Sequence, residues 1–167
     1  MKKIFLVLLV SLSLFTNENY KVSLSVEVSG LVLNKLSLNV KELEKMSYFK
    51  SGSTPVICMS GETKDNVESY EGVLLKDILD KAVVDITSKK DFNKIYIQVI
   101  ASDGYDAIFS YNEVFNTKLG DNIIVFYKKN GEYLKDYQGK IALISIDDIR
   151  NGPRHIKWLE KIIVGKI

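Results

Sequence analysis

Residues 94–110, KIYIQVIASDGYDAIFS, alternate apolar and polar side chains on either side of Asp103 and Gly104. A period of two belongs to strands with one buried face, and glycine accepts the positive φ of a tight turn, so this stretch predicts a β-hairpin. DNIIVFYKKNGEYL, residues 121–134, predicts a second hairpin turning on Asn130 and Gly131. Alternation also runs from Tyr20 onward around Gly30, and VICMS (56–60), KIALISI (140–146) and HIKWLEKIIV (155–164) read as further strands. Helical signals are short. In YEGVLLKDILDKA, residues 70–82, the residues Val73, Leu74, Leu75, Ile78, Leu79 and Ala82 recur at helical spacing. Asn39 with Glu42, and Ser110 with Glu113, each have the form of a capping box at the start of a helix. Gly52, Ser53, Thr54 and Pro55 break the pattern before VICMS. Strands dominate, helices are short, and neither βαβ alternation nor an internal repeat occurs. The expected fold class is α+β, with mixed sheets and short helices.

The chain has 167 residues, 46% of them hydrophobic and 26% charged, the make-up of one globular domain able to bury a continuous core. Lys and Arg number 23 against 21 Asp and Glu, interspersed as on an ordinary solvated surface, which argues against a nucleic-acid partner. Lys2 and Lys3 precede an apolar run from Ile4 to Phe15, the charged and apolar regions of a secretory signal. Residues 1–19 are therefore expected to be a signal or short anchor, and residues 20–167 the domain. An exported location follows, with membrane contact only through the N-terminal segment. A single cysteine, Cys58, excludes an internal disulfide framework, and one cysteine with one histidine excludes an all-protein tetrahedral zinc site. No Cys-x-x-Cys-His occurs, so covalent haem is not expected. Nucleotide-binding glycine motifs are absent as well.

The final stretch, NGPRHIKWLEKIIVGKI (151–167), holds the only histidine and the only tryptophan, beside Arg154 and Lys157. From the residues alone two readings stand: an anion-gripping loop, or a last strand whose basic side chains face water. Arg154 is suited to the first, because a guanidinium offers two parallel donors to one oxyanion. Gly152 would let backbone approach a ligand closely. With Arg154 and Lys157 nearby, His155 is expected to stay neutral until an anion binds.

Taken in order, YEGVLLKDILDKA, ASDGYDAIFSYNEV, NIIVFYKKNGEYL and GPRHIKWLEKIIV resemble the molybdopterin-binding domain of the sulfite-oxidase family, over residues from about Tyr20 to Val164. The resemblance implies an α+β domain that holds molybdenum through a pterin dithiolene and one cysteine thiolate. On that pattern Arg154, His155, Lys157 and Gly152 bind the pterin side of the cofactor, and Tyr105 leads into a second wall of the site. Tyr127 would stand near the metal's oxygen ligand, and Cys58 would be the metal ligand. The pattern departs at Cys58-Met59-Ser60-Gly61: aligned on Gly61, the ligand position falls on Met59, and a one-residue slip on a strand reverses the side-chain face unless a bulge restores it. The Arg-Asn-His type of loop found in the family's oxidoreductases has no counterpart. Two functions are therefore expected. The first is an exported module binding molybdopterin, another pterin or an anion without a complete metal site. The second is a molybdenum-cofactor oxidoreductase subunit performing oxygen-atom transfer, with Cys58 on the metal and a separate electron-transfer protein as partner.

Overall fold

The computed structural model describes residues 22–167, so the expected signal or anchor at 1–19 lies outside the described residues. Thirteen strands follow in chain order: β1 Ser25–Gly30, β2 Leu36–Asn39, β3 Phe49–Lys50, β4 Thr54–Ile57, β5 Thr63–Val67, β6 Tyr70–Leu74, β7 Ile95–Ala101, β8 Asp106–Ser110, β9 Ile123–Lys129, β10 Glu132–Tyr133, β11 Ala142–Ser145, β12 His155–Ile156 and β13 Leu159–Lys166. Three short α-helices interrupt them, α1 Val40–Leu43, α2 Leu75–Ala82 and α3 Tyr111–Phe115, together with short 3-10 turns. One sheet has the order β2-β1-β13-β7-β8, with β1 and β13 parallel. The second runs β12-β11-β9-β6-β3, with β10 added beside β9, and β4 with β5 forms a separate ribbon. The architecture is the expected α+β fold of mixed sheets with short helices. Among the described residues no helix is long and apolar enough to cross a membrane.

Both predicted hairpins form. Along β7 every second residue is buried, and the turn to β8 places Gly104 at φ 90°. Asn130 and Gly131 adopt φ 54° and 81°, the consecutive left-handed pair that matches the twist of a two-residue hairpin loop. Both capping boxes form too. Asn39 Oδ1 accepts from the Glu42 N–H (3.1 Å) while Glu42 Oε2 accepts from the Asn39 N–H (2.9 Å), and Ser110 and Glu113 repeat the exchange at 3.1 and 2.7 Å.

Three expectations are corrected. Residues 70–82 are not one helix: Tyr70–Leu74 is a strand between β9 and β3, and only Leu75–Ala82 is helical. A strand buried on both faces is an apolar run, which periodicity alone does not separate from a buried helix. Residues 155–164 are not one strand. Trp158 takes φ 49° and divides them, placing His155 and Ile156 in the second sheet and Leu159–Lys166 in the first. VICMS is not a strand to its end, since β4 stops at Ile57 and Cys58 opens a turn in which the Gly61 N–H donates to the Cys58 carbonyl (2.9 Å).

Two cores result. The larger fills the space between the two sheets and takes Leu75, Ile78, Leu79 and Ala82 of α2. The smaller lies on the other face of the second sheet, where Val56 and Val67 of the β4–β5 ribbon meet Tyr70, Ile124, Phe126 and Ile144.

Candidate active site and cofactor face

After β11 the chain turns through residues 146–154 and enters β12. Asp148 anchors this loop: its Oδ1 accepts from Ser145 Oγ (2.9 Å) and from Arg154 Nη2, and its Oδ2 accepts from Arg154 Nε (2.6 Å). Arg154 Nη1 donates to Glu113 Oε1 (3.0 Å), and the guanidinium lies 4.4 Å above the Phe109 ring. Arg154 is thus half-buried and joins the loop to α3. Burial alone would raise the Glu113 carboxyl pKa, but the Ser110 N–H and Arg154 outweigh it and hold the group below its ordinary range. The planar fork that would grip an oxyanion is directed at two carboxylates of the protein itself.

The same loop reaches the lone cysteine. Asn151 is buried, at 2% exposure, and its side-chain amide pairs with β4: Oδ1 accepts from the Ile57 N–H (2.8 Å) while Nδ2 donates to the Pro55 carbonyl (2.8 Å) and, more weakly, to that of Ile146 (3.4 Å). Arg150 Nη1 donates to the Met59 carbonyl at the tip of the ribbon. Gly152 closes the contact. A Cβ on it would come within 2.8 Å of the Ile57 carbonyl oxygen and 3.3 Å of the Cys58 Cα, so backbone meets backbone there. Cys58 is partly buried, whereas Met59 is 71% exposed.

His155 packs on the smaller core, 5.8 Å from the Phe126 ring and edge-on to Tyr70 at 6.2 Å. Burial, then the neighbouring charges of Lys157 and Lys129, lowers its pKa to about 4, against a smaller opposing pull from Asp65. The imidazole is neutral at pH 7, in line with the expectation from its basic neighbours. Lys129 pairs with Asp65 on β5. The Tyr70 hydroxyl is buried without a hydrogen-bond partner among the described residues, and Lys157 is exposed. Tyr105 lies at the margin of the loop, its hydroxyl donating to the Pro153 carbonyl (2.7 Å). A cleft of about 370 Å³ lined by Lys129, Tyr133, Lys135, Tyr137 and Gln138 borders this face but contains neither Cys58 nor His155.

Tyr127 is placed elsewhere. Pairing of β6 with β9 skips it, Gly72 opposing Phe126 and Glu71 opposing Lys128, so Tyr127 is the extra residue of a bulge. Its ring belongs to the core between the sheets and stacks on Tyr133 at 6.4 Å, while Phe126 on the opposite face touches His155. The structure brings Cys58 and Tyr105 into contact with the loop that carries Gly152, Arg154 and His155, and it sets Tyr127 and His155 against the two opposite faces of the second sheet. Asn151, Asp148 and Tyr70 escaped the sequence reading. Only Asn151 had a visible signal, a polar residue directly before Gly-Pro.

The sequence profile of the oxidoreductase molybdopterin binding domain matches residues 15–166. The chain belongs to this family. Among solved structures, the molybdopterin-binding domain is similar to the sulfane dehydrogenase SoxCD from Paracoccus pantotrophus, with a TM-score of 0.60 at 15% sequence identity. That likeness covers 84% of the present chain and 37% of the SoxCD chain, so this molybdopterin-binding domain spans well under half the length of its structural relative. No curated protein matches it.

The family implies a pterin cofactor. The groups of this face fit its binding: a partly buried cysteine whose Cα lies beside Gly152, a neutral imidazole, an exposed ammonium, and a buried hydroxyl lacking a partner among the described residues. Among the described residues no group of three or more His, Cys, Asp or Glu side chains is arranged to hold a metal ion, so a metal here would rely on its chelating pterin and one thiolate.

Proposed function

We propose that this domain binds a molybdopterin-type pterin on the face formed by the 150–157 loop and the Cys58 turn, and that it serves as a binding module. The observation that carries the reading is the contact of Gly152 with Ile57 and Cys58, in which the backbone of the lone cysteine lies beside the segment that resembles the family's pterin-binding stretch. His155 and Lys157 contact the ligand's anionic or hydrogen-bonding groups, and Arg154 holds the loop in shape through Asp148 and Glu113. Binding without turnover is favoured because Tyr127, the hydroxyl expected beside the reacting oxygen, faces the other core. The chain works outside the cytoplasm, a reading supported by the Lys2-Lys3 and Ile4–Phe15 pattern.

One observation favours the second reading, an oxygen-atom-transferring oxidoreductase subunit: the Cys58 Cα lies against Gly152 of the loop, whereas Met59 meets the loop only through its carbonyl and is itself exposed. Bound there, a molybdenum pterin supplies two-electron redox chemistry. The protein's own part would be to ligate through Cys58, orient the pterin and pass electrons to a separate partner. The test is metal and pterin analysis of protein made in a host that synthesises and loads the cofactor. The module reading expects pterin to copurify and to remain in Cys58→Ser. Stoichiometric molybdenum that vanishes in Cys58→Ser would overturn it in favour of the enzyme, and protein free of both pterin and metal would overturn both.

A further inference from the structure

The turn that carries Cys58 belongs to a small ribbon whose apolar contacts are few, since only Val56 and Val67 of β4 and β5 reach the smaller core. Solvent-facing residues make up most of β5. Left to those contacts, the ribbon would open locally more often than the sheets it lies on. Lys129 pairs with Asp65 on β5, and on the β4 side the ribbon is held by one buried side chain. Asn151 satisfies the Ile57 N–H and the Pro55 carbonyl at 2.8 Å each, two groups of one strand two residues apart, as a neighbouring strand would. Its amide therefore pairs the edge of β4 in the manner of a one-residue strand. Arg150, the residue before it, holds the tip of the same ribbon at Met59.

The loop bearing these two residues is itself braced. Asp148 is bound by Ser145 and twice by Arg154, and Arg154 is bound in turn by Glu113 at the start of α3. A chain of charge-assisted and buried hydrogen bonds thus runs from α3 to the cysteine turn, and buried bonds of this kind are costly to leave unmade. We infer that Asn151 is a positioning residue for Cys58: it sets where the thiol stands relative to the 152–157 segment, which the turn's own strand does not fix. The inference rests on the pterin-site reading only for what the thiol is held beside.

The test is made on cofactor-free protein, so its outcome does not depend on whether pterin binds. The second-order rate of Cys58 alkylation by iodoacetamide is measured in the wild type and in Asn151→Asp. The aspartate is isosteric and still accepts from Ile57, but it has no donor for Pro55 and Ile146. Arg150→Ala is the second variant, at an exposed position where folding is not at risk. Ile97→Ala, in the far sheet, controls for global destabilisation. Asn151→Asp is expected to raise the rate on the order of ten-fold by freeing the turn, Arg150→Ala about two-fold, and the control not at all. Rates unchanged in both loop variants, or raised equally in the control, would overturn the inference.

Discussion

His155 and Arg154 adjoin in sequence and differ in role because of what surrounds each. The imidazole is set among Phe126, Tyr70 and two lysines, and its proton affinity falls to a pKa of about 4. Since the folded pKa lies below the unfolded value near 6.5, the unfolded chain binds the proton more readily between these limits, and stability falls as pH drops from about 6.5 to 4. Thermal melts over that window should show a loss on the order of 2 kcal/mol, absent in His155→Phe. Glu113 acts lower on the scale. Its depressed pKa gives stability that is present above the ordinary carboxylate range and is lost as pH falls through the folded value. Arg154, which sequence alone offered as an anion grip, is held by two carboxylates. Arg154→Ala leaves both unpaired and should cost about 3 kcal/mol, seen as a melting point lower by roughly 10 °C. Lys157→Ala, at an exposed site, should leave the melting point in place and weaken inorganic pyrophosphate binding about five-fold in calorimetric titration. Reversal of this pair would make Arg154 the anion ligand.

At the scale of elements, local patterns were readable wherever one residue's neighbours in sequence determine its surroundings. The capping boxes at Asn39 and Ser110 and the turns at Gly104 and Asn130–Gly131 are of that kind. So was the fold class, and the sequence neighbours Gly152, Arg154 and His155 do lie on one loop beside Cys58. What the sequence did not disclose depends on contacts far along the chain: Tyr70–Leu74 reads as helix until β3 and β9 flank it, and residues 155–164 read as one strand until Trp158 breaks them. The face of Tyr127 was hidden for the same reason, because a bulge arises from the pairing of two strands. Gly72 permits that pairing. A Cβ on it would lie 2.1 Å from the Val125 carbonyl oxygen and 2.5 Å from the Phe126 Cα, both backbone atoms that have no rotamer to escape into. Gly72→Ala should therefore push β6 from β9 and destabilise by at least about 4 kcal/mol, measured by urea denaturation, whereas Gly104→Ala meets open space and suffers only its positive φ.

For the whole molecule the deciding feature is the route of residues 155–167. His155 and Ile156 pair with β11 in the second sheet, and three residues later Leu159 begins a strand that lies between β1 and β7 in the first. The crossing is secured at Trp158, whose backbone N–H donates to the Gln138 carbonyl (3.1 Å) and whose indole N–H donates to that of Asp136 (2.8 Å). Gly139 packs against it so closely that a Cβ there would lie 2.6 Å from the Trp158 Cα. One covalent segment therefore contributes to both sheets and to the core between them, and neither sheet can lose its pairing without straining the other. Unfolding should then be a single transition. The only tryptophan marks the crossing point, so its fluorescence reports on the junction while far-UV circular dichroism reports on all the strands. Their urea midpoints should coincide. A fluorescence midpoint well below that of the dichroism would show the junction opening first, and would mean that the 150–157 loop, which ends at the same crossing, is held by the second sheet alone.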